Sequence, residues 1–308
     1  MRWSELDMEE KRTVLLNAGK KVRFPLYIIE KDWWVVQSLR LINQMDIAEH
    51  LVFKGGTSLS KAWRLIDRFS EDIDLAINRE FFGFSGDISR TQIGKLKDAS
   101  SRYISNDFLL SLQKVFDNEG FNDVRLSVAN MKATDDDPVQ IEISYPAVTE
   151  YSLYVQPRLI LEIGSRSLME PSTLCSFRSI IGQSFADMPF ADDDVHFRCV
   201  NPERTFLEKL FLLHEEHKRQ KEKMKIKGKS RHFYDIYRIA QTQYADKAIA
   251  DKKLYHSIVA HRERFSKLGG VDYALHFPPN LNPIPPVEYF AEWERDYADF
   301  QEQMIAGE

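Results

Sequence analysis

Two aspartates, Asp72 and Asp74, lie two positions apart in a segment whose apolar residues alternate as in a strand. Residues two apart in a strand point to the same side, so both carboxylates face one way while Ile73 and Leu75 face the core. Adjacent carboxylates repel each other, and a divalent cation relieves this repulsion while leaving coordination positions for phosphate oxygens. Taken alone, such a pair is more often a solvated strand end.

A pair of glycines, Gly55-Gly56, follows the apolar segment 51–54 and precedes a helix that Thr57 or Ser58 can cap. A strand that ends in glycines at a helix N-terminus brings backbone N–H groups close to an anion. A glycine pair by itself is more often an ordinary turn.

The two motifs together are more specific than either one. A single helix separates the glycines from the aspartates, so strand, turn, helix and strand would place an anion site and metal ligands in one cleft. Nucleotide transfer needs this combination, because metal ions bind the triphosphate, activate the attacking hydroxyl and stabilise charge at the α-phosphorus. The spacing therefore predicts a metal-dependent nucleotidyltransferase.

The segments GGTSLSKAW (55–63) and RFSEDIDLAI (68–77) closely resemble the AbiEii/MenT family of nucleotidyltransferase toxins. These are the toxin halves of type IV-like toxin–antitoxin pairs, within the DNA polymerase β-like nucleotidyltransferase superfamily. The resemblance extends to IEKDWW (29–34), to LEIGSRSLMEP (161–171) and to the C-terminal half. It implies an α+β fold, with a polymerase β-like core of a small mixed sheet flanked by helices, joined to a helical C-terminal domain.

The resemblance also implies a reaction and a set of site residues. A nucleotide would pass from an NTP to an RNA acceptor, the tRNA 3′ end, with Mg²⁺ or Mn²⁺ as cofactor and a cognate antitoxin as partner. The metal ligands would be Asp72, Asp74 and a third carboxylate on a later strand. The nucleotide-binding residues would be Gly55, Gly56, Thr57, Ser58, Arg68, Ser70 and Lys209.

Three of these assignments have alternatives. The third carboxylate is Glu162 or Glu142, and Glu162 is preferred because its flanking sequence matches the family better. Lys209 would neutralise the triphosphate, although its position alone also suits a solvated helical lysine. In the family's paired-aspartate motif the first position is His232 here, so Asp235 is the safer catalytic residue and the role of His232 stays open.

Composition limits the other possibilities. The chain has 308 residues, a net charge of −5, 43% hydrophobic residues and two cysteines, Cys175 and Cys199. These values are typical of a cytoplasmic globular protein with free thiols, and no apolar run is long enough to cross a membrane. We expect a nucleotidyltransferase domain with N-terminal helices over 1–180 and a mainly helical domain over 181–308.

Periodicity predicts the elements. Helices are expected at 5–19, 27–48, from 57 or 58, 91–118, 202–220, 231–244, 247–265 and 287–304. Strands are expected at 51–54, 73–77, 123–129, 139–145 and 158–163. In the last helix, Phe290, Trp293, Tyr297 and Phe300 recur at helical spacing, which favours docking through an apolar face over a platform for bases.

Two polar segments in the C-terminal half have competing interpretations. From Lys218 to Arg231 there are eight basic residues and one acid, Glu222, which suits a solvated linker or a contact with RNA phosphates that Lys95 and Lys97 would extend. The run from His214 to His217 lacks the histidine spacing of a zinc protease and is expected to be a solvated helix face without structural zinc.

Two other functions remain open. A nucleotidyltransferase of this superfamily can modify a protein or a small molecule, and only the basic segment disfavours this alternative. A nucleotide-binding regulator without catalysis would gain little from two adjacent carboxylates. The sequence does not specify the NTP, the acceptor, the oligomeric state or whether an antitoxin binds directly.

Overall fold

The computed structural model describes residues 3–22, 24–70, 72–129, 138–150, 156–219 and 223–305. They form two compact units. The first comprises the described residues of 1–62 and 69–199, and the second comprises 63–68 and the described residues of 200–305. The expected division at 180/181 differs from this one because the chain after residue 180 adds another strand to the sheet of the first unit.

The first unit is built on a mixed sheet, as expected. The strands described are β1 (Leu51–Lys54), β2 (Asp72–Ile77), β3 (Arg125–Val128), β4 (Val139–Ser144), β5 (Arg158–Gly164), β6 (Ser172–Phe177) and β7 (Val195–Val200). Their order is β3-β4-β5-β2-β1-β7-β6. The β2/β5 and β1/β7 pairs are parallel, whereas β1/β2, β3/β4 and β4/β5 are antiparallel. All five predicted strands are present, and β6 and β7 were not predicted.

The helices described in this unit are α1 (Met8–Val22), α2 (Leu26–Ile42), α3 (Gly55–Lys61), α4 (Arg90–Tyr103), α5 (Leu109–Asn118) and α6 (Ile180–Ser184). The predicted helix at 91–118 is interrupted by a π-helical turn, Ile104–Phe108, which separates α4 from α5. A capping box between Ser89 and Gln92 starts α4.

Alternation of buried and partly exposed residues along β4, and along most of β2 and β5, gives the sheet one apolar and one more polar side. Residues on the apolar side are fully buried, among them Ile73, Leu75, Ile141, Leu161 and Ile163. The helix α2 packs against β5, and it buries Glu30 and Asp32 as well as its apolar residues. These charges have partners: Glu30 accepts hydrogen bonds from Val148 and Thr149, and Asp32 accepts one from the Ile180 N–H at 2.7 Å.

The second unit is helical. It contains α7 (Pro202–His217), α8 (Arg231–Ala240), α9 (Gln243–Ala250), α10 (Lys252–Phe265) and α11 (Phe290–Met304). The predicted helix at 247–265 is two helices that meet at Asp251, whose side chain accepts a hydrogen bond from the Leu254 N–H and caps α10. In α11, Trp293 and Phe300 are buried and pack on Phe233 and Tyr234 of α8, which confirms docking through an apolar face.

The interpretation of 214–217 as a solvated face is wrong. His214, Glu215 and Glu216 are each at most 2% exposed. The carboxylate of Glu215 accepts two hydrogen bonds from Arg262, at 2.7 and 2.6 Å, and lies 3.0 Å from His276 Nε2. Buried charges of this kind persist where such partners satisfy them, and the sequence pattern does not reveal partners that lie 47 and 61 positions away.

The basic segment between α7 and α8 is anchored in its described part, 223–230. Glu216 accepts hydrogen bonds from the Lys225 N–H and from Lys229 Nζ. Asp296 of α11 accepts bonds from the N–H groups of Gly228 and Ser230, at 2.6 and 3.0 Å. Lys223, Lys225 and Lys227 are exposed, whereas Lys221 lies outside the described residues.

No described helix combines the length and the hydropathy needed to cross a membrane.

Candidate functional site

The polar side of the sheet carries the predicted carboxylates. The register pairs Asp74 of β2 with Glu162 of β5, and Glu162 with Gln140 of β4. Paired residues on neighbouring strands share a face, and Asp72 lies on this face because it precedes Asp74 by two positions. The structure therefore places Asp72, Asp74 and Glu162 on one face of two adjacent strands.

The two alternatives for the third carboxylate differ in their surroundings. Glu162 is directly in register with Asp74 and accepts a hydrogen bond of 2.6 Å from Gln140 Nε2. Glu142 lies on the same face one strand further away, and its carboxylate forms an ion pair of 2.5 Å with Arg158. The geometry therefore favours Glu162. The sequence pattern did not identify Gln140 as its partner, although Gln140 interrupts an apolar strand in the same way as Glu142.

Asp72 and Asp74 fit a metal that arrives with its substrate. In the part of the chain that the structure describes, no three His, Cys, Asp or Glu side chains form a complete metal site. Two neighbouring carboxylates nevertheless supply the oxygen donors that Mg²⁺ and Mn²⁺ prefer. Mg²⁺ in particular is commonly held by one or two carboxylates together with substrate phosphates and waters.

Gly55 brings the start of α3 against Asp74. Its φ of +78° lies in the left-handed region, which favours glycine. A Cβ atom at this position would lie 2.0 Å from Asp74 Oδ2, so the carboxylate fills the space that any other side chain would need. The first glycine of the pair is thus required both by its backbone angle and by the neighbouring carboxylate.

The side chains of Thr57 and Ser58 face the interior of the protein. Both residues are buried. Thr57 Oγ1 donates a hydrogen bond to the backbone carbonyl of Asp72. This contact fixes α3 against β2. The predicted phosphate role of Thr57 and Ser58 stays a prediction, and the backbone N–H groups at Gly55 and Gly56 are the better candidates for an anion.

The second unit brings together Arg68, Lys209 and Asp235, which are buried, and His232, which is half-buried. Arg68 donates two hydrogen bonds to Asp235, from Nε to Oδ1 at 2.7 Å and from Nη2 to Oδ2 at 2.8 Å. Lys209 Nζ lies 2.9 Å from Asp235 Oδ2 and 3.2 Å from His232 Nδ1. Lys209 on α7 and Asp235 on α8 are therefore directly paired, as two motif residues of one site would be.

Burial and charge determine the protonation of this cluster. Burial lowers the pKa of Lys209, and Asp235 partly opposes this effect. Burial alone would raise the pKa of Asp235, but the charges of Lys209 and Arg68 lower it well below its usual range. Burial and the charge of Lys209 hold the pKa of His232 well below its ordinary value. His232 is therefore neutral, and its Nδ1 can accept a hydrogen bond from the Lys209 ammonium group.

Arg68 and Ser70 occupy different surroundings. Arg68 is buried, its guanidinium is bound by Asp235, and its backbone forms a strand bridge to Ile305. Ser70 is half-buried just before β2. The predicted nucleotide contact of Arg68 therefore competes with an internal ion pair. The sequence did not reveal this pair because the two residues are 167 positions apart.

A family model described as "Nucleotidyl transferase AbiEii toxin, Type IV TA system" matches residues 39–308. The match includes the glycine pair, both aspartates, Lys209 and Asp235. The chain belongs to the AbiEii nucleotidyltransferase toxin family. It is accordingly a nucleotidyltransferase toxin of a type IV toxin–antitoxin system, as the motif resemblance predicted.

Comparison with solved structures supports the AbiEii fold. The chain is similar to MenT4, a nucleotidyltransferase toxin from Mycobacterium tuberculosis, with a TM-score of 0.51 and 18% sequence identity. The similarity covers 94% of this chain and 87% of that chain. No curated protein sequence matches this chain. The likeness to MenT4 concerns the fold, and the family assignment comes from the family model.

Proposed function

We propose that this AbiEii-family toxin transfers a nucleotide from an NTP to a hydroxyl of an RNA acceptor, the tRNA 3′ end, and requires Mg²⁺ or Mn²⁺. The observation that carries the proposal is the shared face of Asp72, Asp74 and Glu162, with Gly55 directly against Asp74. Few structural roles would place three carboxylates on one face of two adjacent strands, because like charges at neighbouring strand positions are destabilising.

Each residue on this face has a role in the proposed reaction. Asp72 and Asp74 hold the metal, and Glu162, oriented by Gln140, is the third carboxylate. The backbone N–H groups of the glycine pair bind phosphate oxygens. A bound divalent metal supplies charge neutralisation at the triphosphate and activation of the acceptor hydroxyl. The new bond joins the acceptor oxygen to the α-phosphorus, and pyrophosphate leaves.

For the second unit we propose that Lys209 neutralises phosphate charge and that Asp235 positions Lys209. An ammonium group has three N–H donors, and the contacts with Asp235 and His232 use two of them. Asp235 already binds two cations, so a role in positioning suits it better than a role as metal ligand.

The exposed lysines 223, 225 and 227 support an RNA acceptor over a small molecule. The anchoring of 225–230 to Glu216 and Asp296 presents Lys225 and Lys227 on a fixed turn, which Lys223 precedes by two positions. Fixed cations on one segment suit the repeated charges of a phosphate backbone. Binding of a cognate antitoxin is proposed from the family alone.

The proposal is tested by incubating the protein with total RNA and each labelled NTP, with Mg²⁺ or Mn²⁺. We expect one RNA class to be labelled by the wild type and by Asp123→Asn, which changes an exposed carboxylate in the same unit. We expect Asp72→Asn and Asp74→Asn to lose transfer by about 10²-fold or more, since each removes a charge needed in the transition state. Circular dichroism should show both variants folded.

Other outcomes would contradict the proposal in distinct ways. A variant that keeps more than about a tenth of the wild-type rate would exclude the two-carboxylate mechanism. If a protein or a small molecule is labelled instead of RNA, the proposed nucleotide transfer is correct and the proposed RNA acceptor is wrong. Nucleotide binding without any transfer would support a regulator.

A further inference from the structure

Two segments that carry the family resemblance, IEKDWW (29–34) and GGTSLSKAW (55–63), meet through a buried ion pair. Asp32 lies on α2, and Lys61 is the last residue of α3. Lys61 Nζ forms an ion pair with Asp32 Oδ1, and the two side chains are 13% and 3% exposed. The other carboxylate oxygen, Oδ2, accepts a hydrogen bond of 2.7 Å from the Ile180 N–H at the start of α6. Asp32 therefore joins three helices.

The helix α3 depends on contacts with the rest of the unit for its position. It is 7 residues long, begins with two glycines and has no side-chain cap from Lys54. An isolated helix shorter than about 12–15 residues is marginal in water, and glycine is a poor helix former. One polar contact, from the Thr57 hydroxyl to the Asp72 carbonyl, holds the first half of α3. The ion pair of Lys61 with Asp32 holds its C-terminal end.

A buried ion pair suits a positioning role better than a stabilising one. Two buried charges lose their hydration, so replacing both with uncharged residues of similar volume is often neutral or even stabilising. Such a pair does supply a directional contact, because the ammonium group of Lys61 must stay beside the carboxylate that also binds α6. An apolar contact between the same two helices would be less specific in direction.

The position of α3 matters for the two aspartates of β2. A Cβ atom on Gly55 would lie 2.0 Å from Asp74 Oδ2, so the Asp74 carboxylate packs directly on the start of α3. Thr57 binds the backbone of Asp72, the other aspartate of this face. A shift of α3 would therefore release both contacts at once. Groups that orient metal ligands typically change metal affinity or activity by about 10–100-fold when they are replaced.

We propose that Asp32 and Lys61 are positioning residues, which hold α3 against Asp72 and Asp74 so that both carboxylates can bind one divalent metal. The effect on metal binding rests on the proposed function, because it assumes that Asp72 and Asp74 are metal ligands. The effect on α3 itself does not rest on it, and it is measured in metal-free protein.

The first experiment compares hydrogen exchange of α3 in metal-free, full-length proteins. In the double variant Asp32→Asn/Lys61→Met the amide oxygen can still accept a hydrogen bond from the Ile180 N–H, and no buried charge is left unpaired. We therefore expect a melting temperature close to that of the wild type, with α3 amides that exchange at least severalfold faster. Asp32→Asn alone should show the same faster exchange, and it serves as the second variant if the double variant does not fold. Lys20→Met is the matched control, since Lys20 is an exposed lysine in the last turn of α1. Exchange of α3 at the wild-type rate in both Asp32 variants would overturn the proposal.

The second experiment measures the Mg²⁺ concentration that gives half-maximal nucleotide transfer. We expect the two Asp32 variants to require about 10-fold more Mg²⁺ than the wild type, and Lys61→Arg, which keeps the ion pair, to stay close to the wild type. A pair with only a structural role would change the melting temperature and leave the Mg²⁺ requirement unchanged, and this result would overturn the proposal. If α3 exchange responds as expected while the wild type transfers no nucleotide, the positioning of α3 is correct and the proposed function is wrong.

Discussion

At the scale of single residues, Gly55 offers a sharp test of the proposed phosphate site. In Gly55→Ala the new Cβ meets Asp74 Oδ2 at 2.0 Å, and the backbone keeps a φ of +78°. The variant combines a left-handed penalty of about 1–2 kcal/mol with an overpacking penalty of about 1–3 kcal/mol. We expect a fall in the free energy of unfolding from denaturant titration, and loss of transfer because Asp74 is displaced.

Gly83→Ala is the matched control. Gly83 has the same φ of +78°, and its added Cβ would meet nothing within 4 Å. The difference between the two variants therefore isolates the contact with Asp74. Equal loss of stability and full activity in both would show that Asp74 does not depend on the space that Gly55 leaves.

Lys209 and Asp235 make a second test at this scale. In Lys209→Met the side chain keeps most of its volume, and Asp235 keeps its two hydrogen bonds from Arg68. In Asp235→Asn two buried cations lose their counter-charge, which typically costs about 3–5 kcal/mol. We expect Lys209→Met to weaken NTP use much more than it lowers the melting temperature, and Asp235→Asn to lower both.

Isothermal titration with NTP and thermal melts of both variants provide the measurement. A large drop in the melting temperature of Lys209→Met with unchanged NTP affinity would assign Lys209 to the core alone.

The sequence identified most of the candidate residues but few of their partners. Asp72 and Asp74 were recognisable because a strand pattern fixes which side they face. The partner of Arg68 was not recognisable. Its local spacing predicts a contact with the nucleotide, whereas its guanidinium binds Asp235, 167 positions away. The contact of Glu162 with Gln140 likewise depends on strand order, which local periodicity does not contain.

At the scale of elements, the packing of α7 on α8 and α11 predicts a pH response. His217 of α7 stacks on Phe233 and packs edge-on against Trp293. Neither ring nitrogen has a hydrogen-bond partner among the described residues. Burial, with smaller contributions from His214 and nearby lysines, lowers the pKa of His217 from 6.5 to about 4.

The sign of this response follows from proton binding. Below pH 6.5 the unfolded chain protonates His217 while the folded chain does not, so stability is lost as the pH falls toward about 4. We expect His217→Phe to raise the free energy of unfolding at pH 5. It should also reduce the slope against pH by up to about 1.4 kcal/mol per unit. Urea titrations between pH 4 and 7 measure both, and an unchanged slope would contradict the burial of a neutral imidazole.

Helices and strands whose apolar residues recur with a clear period were predictable from the sequence, and those without such a period were not. The alternation in β4 and β5 and the helical stripes of α7 and α11 gave correct element types. β6 was missed because only one of its residues, Phe177, is buried, so no apolar alternation marks the strand. The short helix α6 depends on its cap, in which Ser179 Oγ accepts a hydrogen bond from the Gly182 N–H. The break at Asp251 likewise depends on a cap inside an otherwise continuous helical pattern.

At the scale of the whole molecule, the acceptor is tested by salt dependence. Replacing Lys223, Lys225 and Lys227 with glutamine removes three exposed charges from the anchored segment. If these lysines contact RNA phosphates, acceptor binding should weaken. The slope of log K against log salt should also flatten, by roughly 0.7–0.9 for each lost contact. Binding of NTP should not change, and RNA affinity across a salt series provides the measurement.

A triple variant of Lys247, Lys252 and Lys253 is the control, since these lysines are also exposed in the second unit and the change in net charge is the same. If plots of log K against log salt are parallel for the two triple variants, the anchored segment does not bind the acceptor. That result would favour a small-molecule or protein acceptor.

The pairing of Arg68 with Asp235 has a consequence for the order in which the molecule is made. Arg68 leaves the ribosome 167 residues before its counter-charge, a delay of about 10–30 seconds at translation rates of about 5–20 residues per second. The six-residue segment 63–68 belongs to a unit whose other residues begin only at position 200. A chain that stops before Asp235 would therefore leave both Arg68 and Lys209 without their shared counter-charge.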